Sequence, residues 1–98
     1  MQMRRVLAVE FEWDEDKRQR GIAKHQVDLL YAAGVFEGPT AIAPDDRGEY
    51  GEDRFIAIGL VRGEVFVVVF TQRGDKVRLI SARKGGRRDR LKYQESLA

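Results

Sequence analysis

The sequence contains no cysteine, one histidine, one tryptophan and two prolines among 98 residues. Without cysteine it has neither disulfides nor thiolate metal ligands, so folding rests on packing alone. One histidine does not make a zinc set, and the acids Asp45, Asp46 and Glu49 sit in a loop-like stretch where solvation explains them. No metal site is expected. The glycines are scattered through turn-like positions without a phosphate-cradling spacing, so no nucleotide cofactor is expected either. The longest apolar run, Val65 to Phe70, is far short of the roughly 20 residues of a membrane span. Met1 to Arg5 is basic but leads into Glu10, Glu12 and Asp14 rather than a signal-like apolar stretch. The mature chain is therefore expected to start near Met1 and to reside in the cytoplasm, which the cysteine-free composition fits.

What is present is charge, unevenly spread. The net charge is +2, yet residues 1–50 carry 7 Lys/Arg against 10 Asp/Glu, whereas residues 51–98 carry 11 against 6. The second half is the anion-seeking half. Its extreme is Arg83 to Tyr93, where Arg83, Lys84, Arg87, Arg88, Arg90 and Lys92 face a single acid, Asp89. A length of 98 residues supports one core, and the chain reads as a single domain, 1–98.

Phe11-Glu12-Trp13-Asp14 reads as a short strand or extended entry, with Asp14 capping a helix that starts at Glu15 and ends near Lys24-His25. Asp28 is the expected N-cap of a second helix, where Leu29, Ala32, Ala33 and Phe36 recur at helical spacing until Gly38-Pro39 stops it. Thr40 to Ala43 fits a short edge strand. Phe55 to Val61, Val65 to Thr71 and Val77 to Arg83 are β-rich runs separated by the turn signals Arg62-Gly63 and Arg73-Gly74-Asp75. Arg87 to Leu97 reads as a closing helix, docked by Leu91, Tyr93 and Leu97. The fold class is α+β: two N-terminal helices packed on a twisted antiparallel sheet, a three-stranded meander plus short edge strands, and a C-terminal helix. Trp13 is expected to anchor the core.

Several residues are candidates for chemistry. His25 suits proton transfer near neutral pH, although a helix-ending histidine also caps carbonyls, and Lys24 beside it suits a phosphate. Strict alternation along the last strand puts Val77, Leu79, Ser81 and Arg83 on one face and Arg78, Ile80, Ala82 and Lys84 on the other. Arginine at a strand end offers a bidentate grip on phosphate, or merely manages that end. Arg54 and Arg73 are further phosphate candidates, with ordinary ion pairing as the alternative.

Phe11-Glu12-Trp13-Asp14, Lys24-His25, Gly51-Glu52-Asp53-Arg54-Phe55 and Ile80-Ser81-Ala82-Arg83-Lys84 together resemble, in order and spacing, the pattern of the BrnT toxin family. The resemblance runs from about Phe11 to Tyr93 and implies a RelE-like fold. It implies a bacterial type II toxin that cleaves RNA without a metal and arrests growth. It also implies a BrnA-type antitoxin partner in a heterotetramer of two toxins and two antitoxins, touching operator DNA only through the antitoxin. Attack of a ribose 2′-OH on the adjacent phosphate needs a base, charge stabilisation and a proton for the leaving oxygen. The site positions carried over are Lys24, His25, Arg54, Arg83 and Lys84, with Arg73, Arg78, Arg87 and Arg88 as RNA contacts. Where the family usually has glycine after Lys-His this chain has Gln26, and where it has alanine and then glutamate after Arg-Lys this chain has Gly85 and Asp89. The extra glycine is expected to loosen the last helix. The alternative reading is a basic module that binds RNA or protein without cutting.

Overall fold

A computed structural model describes residues 10–97 of the chain. The reading of the first five residues therefore lies outside the described part. The elements are β1 (Glu10–Glu12), α1 (Glu15–His25), α2 (Leu29–Ala32), a 3-10 turn (Ala33–Glu37), β2 (Ala41–Pro44), β3 (Arg54–Val61), β4 (Glu64–Arg73), β5 (Lys76–Lys84) and α3 (Arg87–Leu97). Among them is no helix long and apolar enough to cross a membrane.

Local chemistry sets the helix ends. The Asp14 carboxylate accepts the Lys17 N–H at 3.1 Å and starts α1, and Asp28 accepts the Leu30 N–H at 2.9 Å and starts α2. The continuous helix expected from Leu29 to Phe36 is instead one α-turn that tightens into 3-10 geometry at Ala33. Gly34 and Val35 are weak α-formers. The tighter coil seats Val35, fully buried, directly over Gly59 of β3.

The five strands lie in the order β1-β5-β4-β3-β2. Strands β2 to β5 are each antiparallel to their chain neighbours, but β1 runs parallel to β5, so the sheet is mixed rather than wholly antiparallel. The physical reason is the connection: β1 and β5 are separated by most of the domain, so no tight hairpin dictates their direction. Because β1 pairs only with Lys76 to Arg78, the outer edge of β5 from Leu79 onward has no partner strand among the described residues.

One sheet face carries the main core: Ala57, Phe66, Val68, Phe70, Val77 and Leu79 pack on Val27, Leu29, Ala32, Ala33 and Val35. Phe36 meets Phe70 edge-on at 5.2 Å between ring centroids, and Trp13 packs at the margin of this core. The opposite face holds a smaller cluster, Ile58, Val65 and Val67 beneath Tyr93 of α3, whose hydroxyl donates to the Pro39 carbonyl at 3.1 Å. Two expectations change here. Helix α1 buries no residue, so α2 and the 3-10 turn cover the sheet alone while α1 rides along its edge. In α3 only Tyr93 docks; Leu91 and Leu97 stay 51% and 54% exposed, since Leu91 points away from Tyr93 on the wheel and Leu97 lies a turn beyond it.

The expected alternation along β5 also fails at one place. Phe70 pairs with Leu79 and Val69 with Ser81, which leaves Ile80 as an extra, unpaired residue. Such a bulge inverts the parity of everything after it. Ala82, not Ser81, joins the core with Val77 and Leu79, while Ser81 and Arg83 share the opposite face with Arg78. The register carries Arg54, opposite Thr71, to that same face.

Gly59 is where the 3-10 turn meets the sheet, and a Cβ there would stand 2.8 Å from Val35 Cβ. Gly59→Ala is expected to cost about 1–3 kcal/mol through overpacking, read as a lower urea midpoint at unchanged slope.

Candidate functional site

Helix α1 projects Lys17, Arg20 and Lys24 along one side, at spacings of three and four residues, with His25 beside them at its last turn. These four line a groove of about 240 Å³ whose other wall is Ile80, Ser81 and Ala82 of β5. None of the four joins an ion pair among the described residues, and no acid lines the groove. The other cation lining the groove, Arg18, is spent on structure. Its Nε and Nη2 donate to the two Asp28 carboxylate oxygens at 2.8 and 2.9 Å, and its Nη1 reaches Glu15 at 2.9 Å. The fork ties α1 to the cap of α2 and holds the Asp28 carboxyl below its ordinary range.

Beyond α1, Gln26 takes the left-handed conformation, φ 54° and ψ 33°, and its N–H closes on the Ile22 carbonyl at 3.0 Å. The residue that turns the chain past His25 is thus in a region that favours glycine, which explains the glycine of the resembled pattern.

A second depression adjoins the first through Lys17 and Ile80. Arg54, Arg73 and Arg78 line it, with Asp14 and Glu52. Its arginines are braced: Arg54 donates to Glu52 at 3.2 Å and stacks 4.1 Å from the Tyr50 ring centre. Arg73 lies 3.4 Å from Glu52, and Arg78 lies 3.8 Å from Glu12.

A third depression, of about 310 Å³, adjoins the groove through Ser81 and Ala82. Ile56, Ile58, Val67 and Val69 form its floor, and Arg47, Arg83, Lys92 and Asp89 its rim. Arg83 makes a two-pronged bond to Asp89 at 2.8 and 3.2 Å, and Asp89 also accepts the Gly86 N–H at 2.8 Å. This clamps the end of β5 to the first turn of α3, and the Arg83 guanidinium holds the Asp89 carboxyl below its usual range. Gly85 donates to the Val65 carbonyl at 2.7 Å, and a Cβ there would overlap the Val65 side chain.

Of the residues singled out in the sequence, Lys24 with His25, Arg54 with Arg73 and Arg78, and Arg83 therefore lie in three adjoining depressions around the bulged edge of β5. Lys84 stands apart, on the opposite face from Arg83 and 3.8 Å from Glu64. Arg87 and Arg88 are exposed at the start of α3 and line none of the three. Sequence reasoning passed over Lys17, Arg20 and Arg47. The first two had a visible signal in their helical spacing from Lys24. Asp45, read as loop solvation, is buried, and Arg47 holds its carboxyl down at about 2. Among the described residues no three His, Asp or Glu side chains are grouped to hold a metal ion.

The family model described as "Ribonuclease toxin, BrnT, of type II toxin-antitoxin system" matches residues 13–89, most of the chain and all of α1 and β5. No curated protein matches it.

Gln26→Gly is expected to relieve roughly 1 kcal/mol of backbone strain, part of it offset by glycine's greater unfolded-state freedom. A rise of about 2–4 °C in Tm is the result to look for in a thermal melt. Acid should act through Asp89. A carboxyl depressed in the folded state stabilises fully above its unfolded value near 4 and loses that contribution as pH falls through its lower folded value. Asp89→Asn should weaken the protein at pH 7 and reduce the slope of its stability as pH falls below about 4, measured by urea unfolding over a series of pH values.

Proposed function

The chain belongs to the BrnT family of ribonuclease toxins of type II toxin–antitoxin systems, and from that premise we propose that it cuts RNA in the groove between α1 and β5, without a metal ion. The observation that carries this is the set Lys17, Arg20, Lys24 and His25: three cations and the single imidazole on one wall, with no ion pair to them and no acid lining the groove among the described residues. An RNA phosphodiester lying there meets positive charge and a proton-transfer group together.

In this reading, within the pair of His25 and Lys24, the imidazole of His25 takes the proton from a ribose 2′-OH, since the Lys24 ammonium has no lone pair to accept it, and the oxygen attacks the adjacent phosphorus. The bond to the 5′ oxygen breaks, that oxygen receives a proton from the other member of the pair, and a cyclic phosphate remains. Arg54, with Arg73 and Arg78, supports the charge on the phosphate from the adjoining depression. Arg83, engaged by Asp89, serves as a positioning residue that holds the β5 edge, while Lys84, Arg87 and Arg88 contact RNA further out. The partner is a BrnA-type antitoxin, assembled as two toxins with two antitoxins, which covers this surface and alone contacts operator DNA. The sheet with α2 and the 3-10 turn on one face, α3 on the other and α1 at the edge fits a RelE-like architecture acting in the bacterial cytoplasm.

Purified chain, freed of antitoxin, should shorten RNA in the presence of EDTA. Lys24→Ala and His25→Ala should each lower kcat/KM by about 100-fold or more while melting like the parent, and expression should arrest growth unless the antitoxin is co-expressed. RNA that is bound but stays intact would mark a binding module instead.

A further inference from the structure

Arg47 is built into the molecule in a way its loop does not require. Its Nε and Nη2 donate to the two Asp45 carboxylate oxygens at 2.7 and 2.8 Å. The same carboxylate accepts the Arg47 N–H at 3.2 Å and lies 3.5 Å from the Tyr50 hydroxyl. The Asp45 side chain is 1% exposed while Arg47 is 64% exposed. A buried carboxylate satisfied on both oxygens by one guanidinium fixes that guanidinium as a rigid fork, where a turn alone would need only the Asp45 to Arg47 backbone bond. The donors on Nη1 and the second one on Nη2 are not used by Asp45, and the side chain that carries them is largely exposed.

What that fork borders is the third depression. Its floor of Ile56, Ile58, Val67 and Val69 is aliphatic, and its rim of Arg47, Arg83 and Lys92 against Asp89 and the buried Asp45 leaves one positive charge in excess. It meets the α1–β5 groove across Ser81 and Ala82, at the edge where β5 has no partner strand among the described residues. An apolar floor beside fixed cations suits one nucleotide of a single strand, the base on the floor and the phosphate at the rim.

We infer that Arg47, oriented by Asp45 and assisted by Lys92, binds the phosphate of a nucleotide neighbouring the scissile one, so that the RNA strand crosses the β5 edge at Ser81 and Ala82 from the α1 groove to the sheet face. This rests on the ribonuclease reading for the identity of the strand, and it makes Arg47 a substrate-binding residue rather than a catalytic one.

The test is binding of a single-stranded 2′-O-methyl oligoribonucleotide, which has no free 2′-OH and cannot be cut, followed by fluorescence anisotropy over a range of salt. Arg47→Ala should weaken binding about tenfold, as loss of a charged hydrogen bond does, and flatten the salt slope by about 0.7, the value of one single-strand phosphate contact. Arg47→Lys keeps a charge but loses the fork, so its slope should stay near the parent's while affinity drops several-fold; Asp45→Asn should fall between. A folded Arg47→Ala with parental affinity and slope overturns the inference, and should that variant not fold, Arg47→Lys with unchanged affinity overturns it equally. On cleavable RNA, Arg47→Ala should raise KM with little change in kcat. If the parent cleaves and KM does not move, this subsite falls and the nuclease reading stands. If the Arg47 variants weaken binding but the parent never cleaves, the nuclease reading falls and the subsite stands.

Discussion

The arrangement of cations depends on one unpaired residue, Ile80. Arg78 and Arg83 are five positions apart, and on a regular strand an odd separation sends two side chains to opposite faces. The bulge brings Arg83 to the side that already holds Arg78 and Arg54. The driving force is the core. A regular β5 that buries Val77 and Leu79 would turn Ser81 and Arg83 inward as well, and a guanidinium without a partner there costs several kcal/mol. Adding one residue lets Ala82 fill the next core position and returns the arginine to solvent. The surface that gathers charge is thus a consequence of keeping charge out of the interior.

Helix α1 is held differently. It buries no residue, so apolar area does not determine where it lies. Its seat is the Arg18 fork onto Asp28, with the left-handed turn at Gln26 closing the other end. The fork spans two helices and shares its carboxylate with the α2 cap, so one acid sets both the start of α2 and the distance of α1 from β5. That leaves the groove with one wall that belongs to the core and one wall that hangs from a few polar contacts. Segments held this way open at lower free energy than core strands.

Much of this was legible from residue chemistry. The caps Asp14 and Asp28, the β-rich runs and the closing helix follow from local rules, and the helix at Arg87–Leu97 has the bounds its glycines and charges predict. The bulge had a signal too, in a core spacing that changes from two between Val77 and Leu79 to three between Leu79 and Ala82. Period-two reading overrode it. The parallel pairing of β1 carried no local signal, because three residues at one end of the chain do not encode which distant strand they join. The burial of Asp45 was equally hidden: an acid two residues before an arginine in a turn looks the same whether solvent or protein surrounds it. For the site, the motif residues fall on α1, β3 and β5, but that the depression holding Lys24 adjoins the one holding Arg54, thirty positions away, is a product of the sheet.

The charges divide into two kinds with different physical consequences. Arg18, Arg47, Arg54 and Arg83 are each forked or stacked onto an acid or an aromatic ring, so their orientation is settled before any ligand arrives. Fixed dipoles and charges stabilise an anion without reorganising, but an acid partner cancels much of their long-range pull. Lys17, Arg20 and Lys24, beside His25, are the reverse: no ion pair among the described residues holds them. Unpaired cations raise the capture rate of a polyanion. Free charge on a lightly held helix beside fixed charge on a rigid sheet therefore separates attraction from orientation, and the β5 edge at Ile80 to Ala82 is where the two surfaces meet.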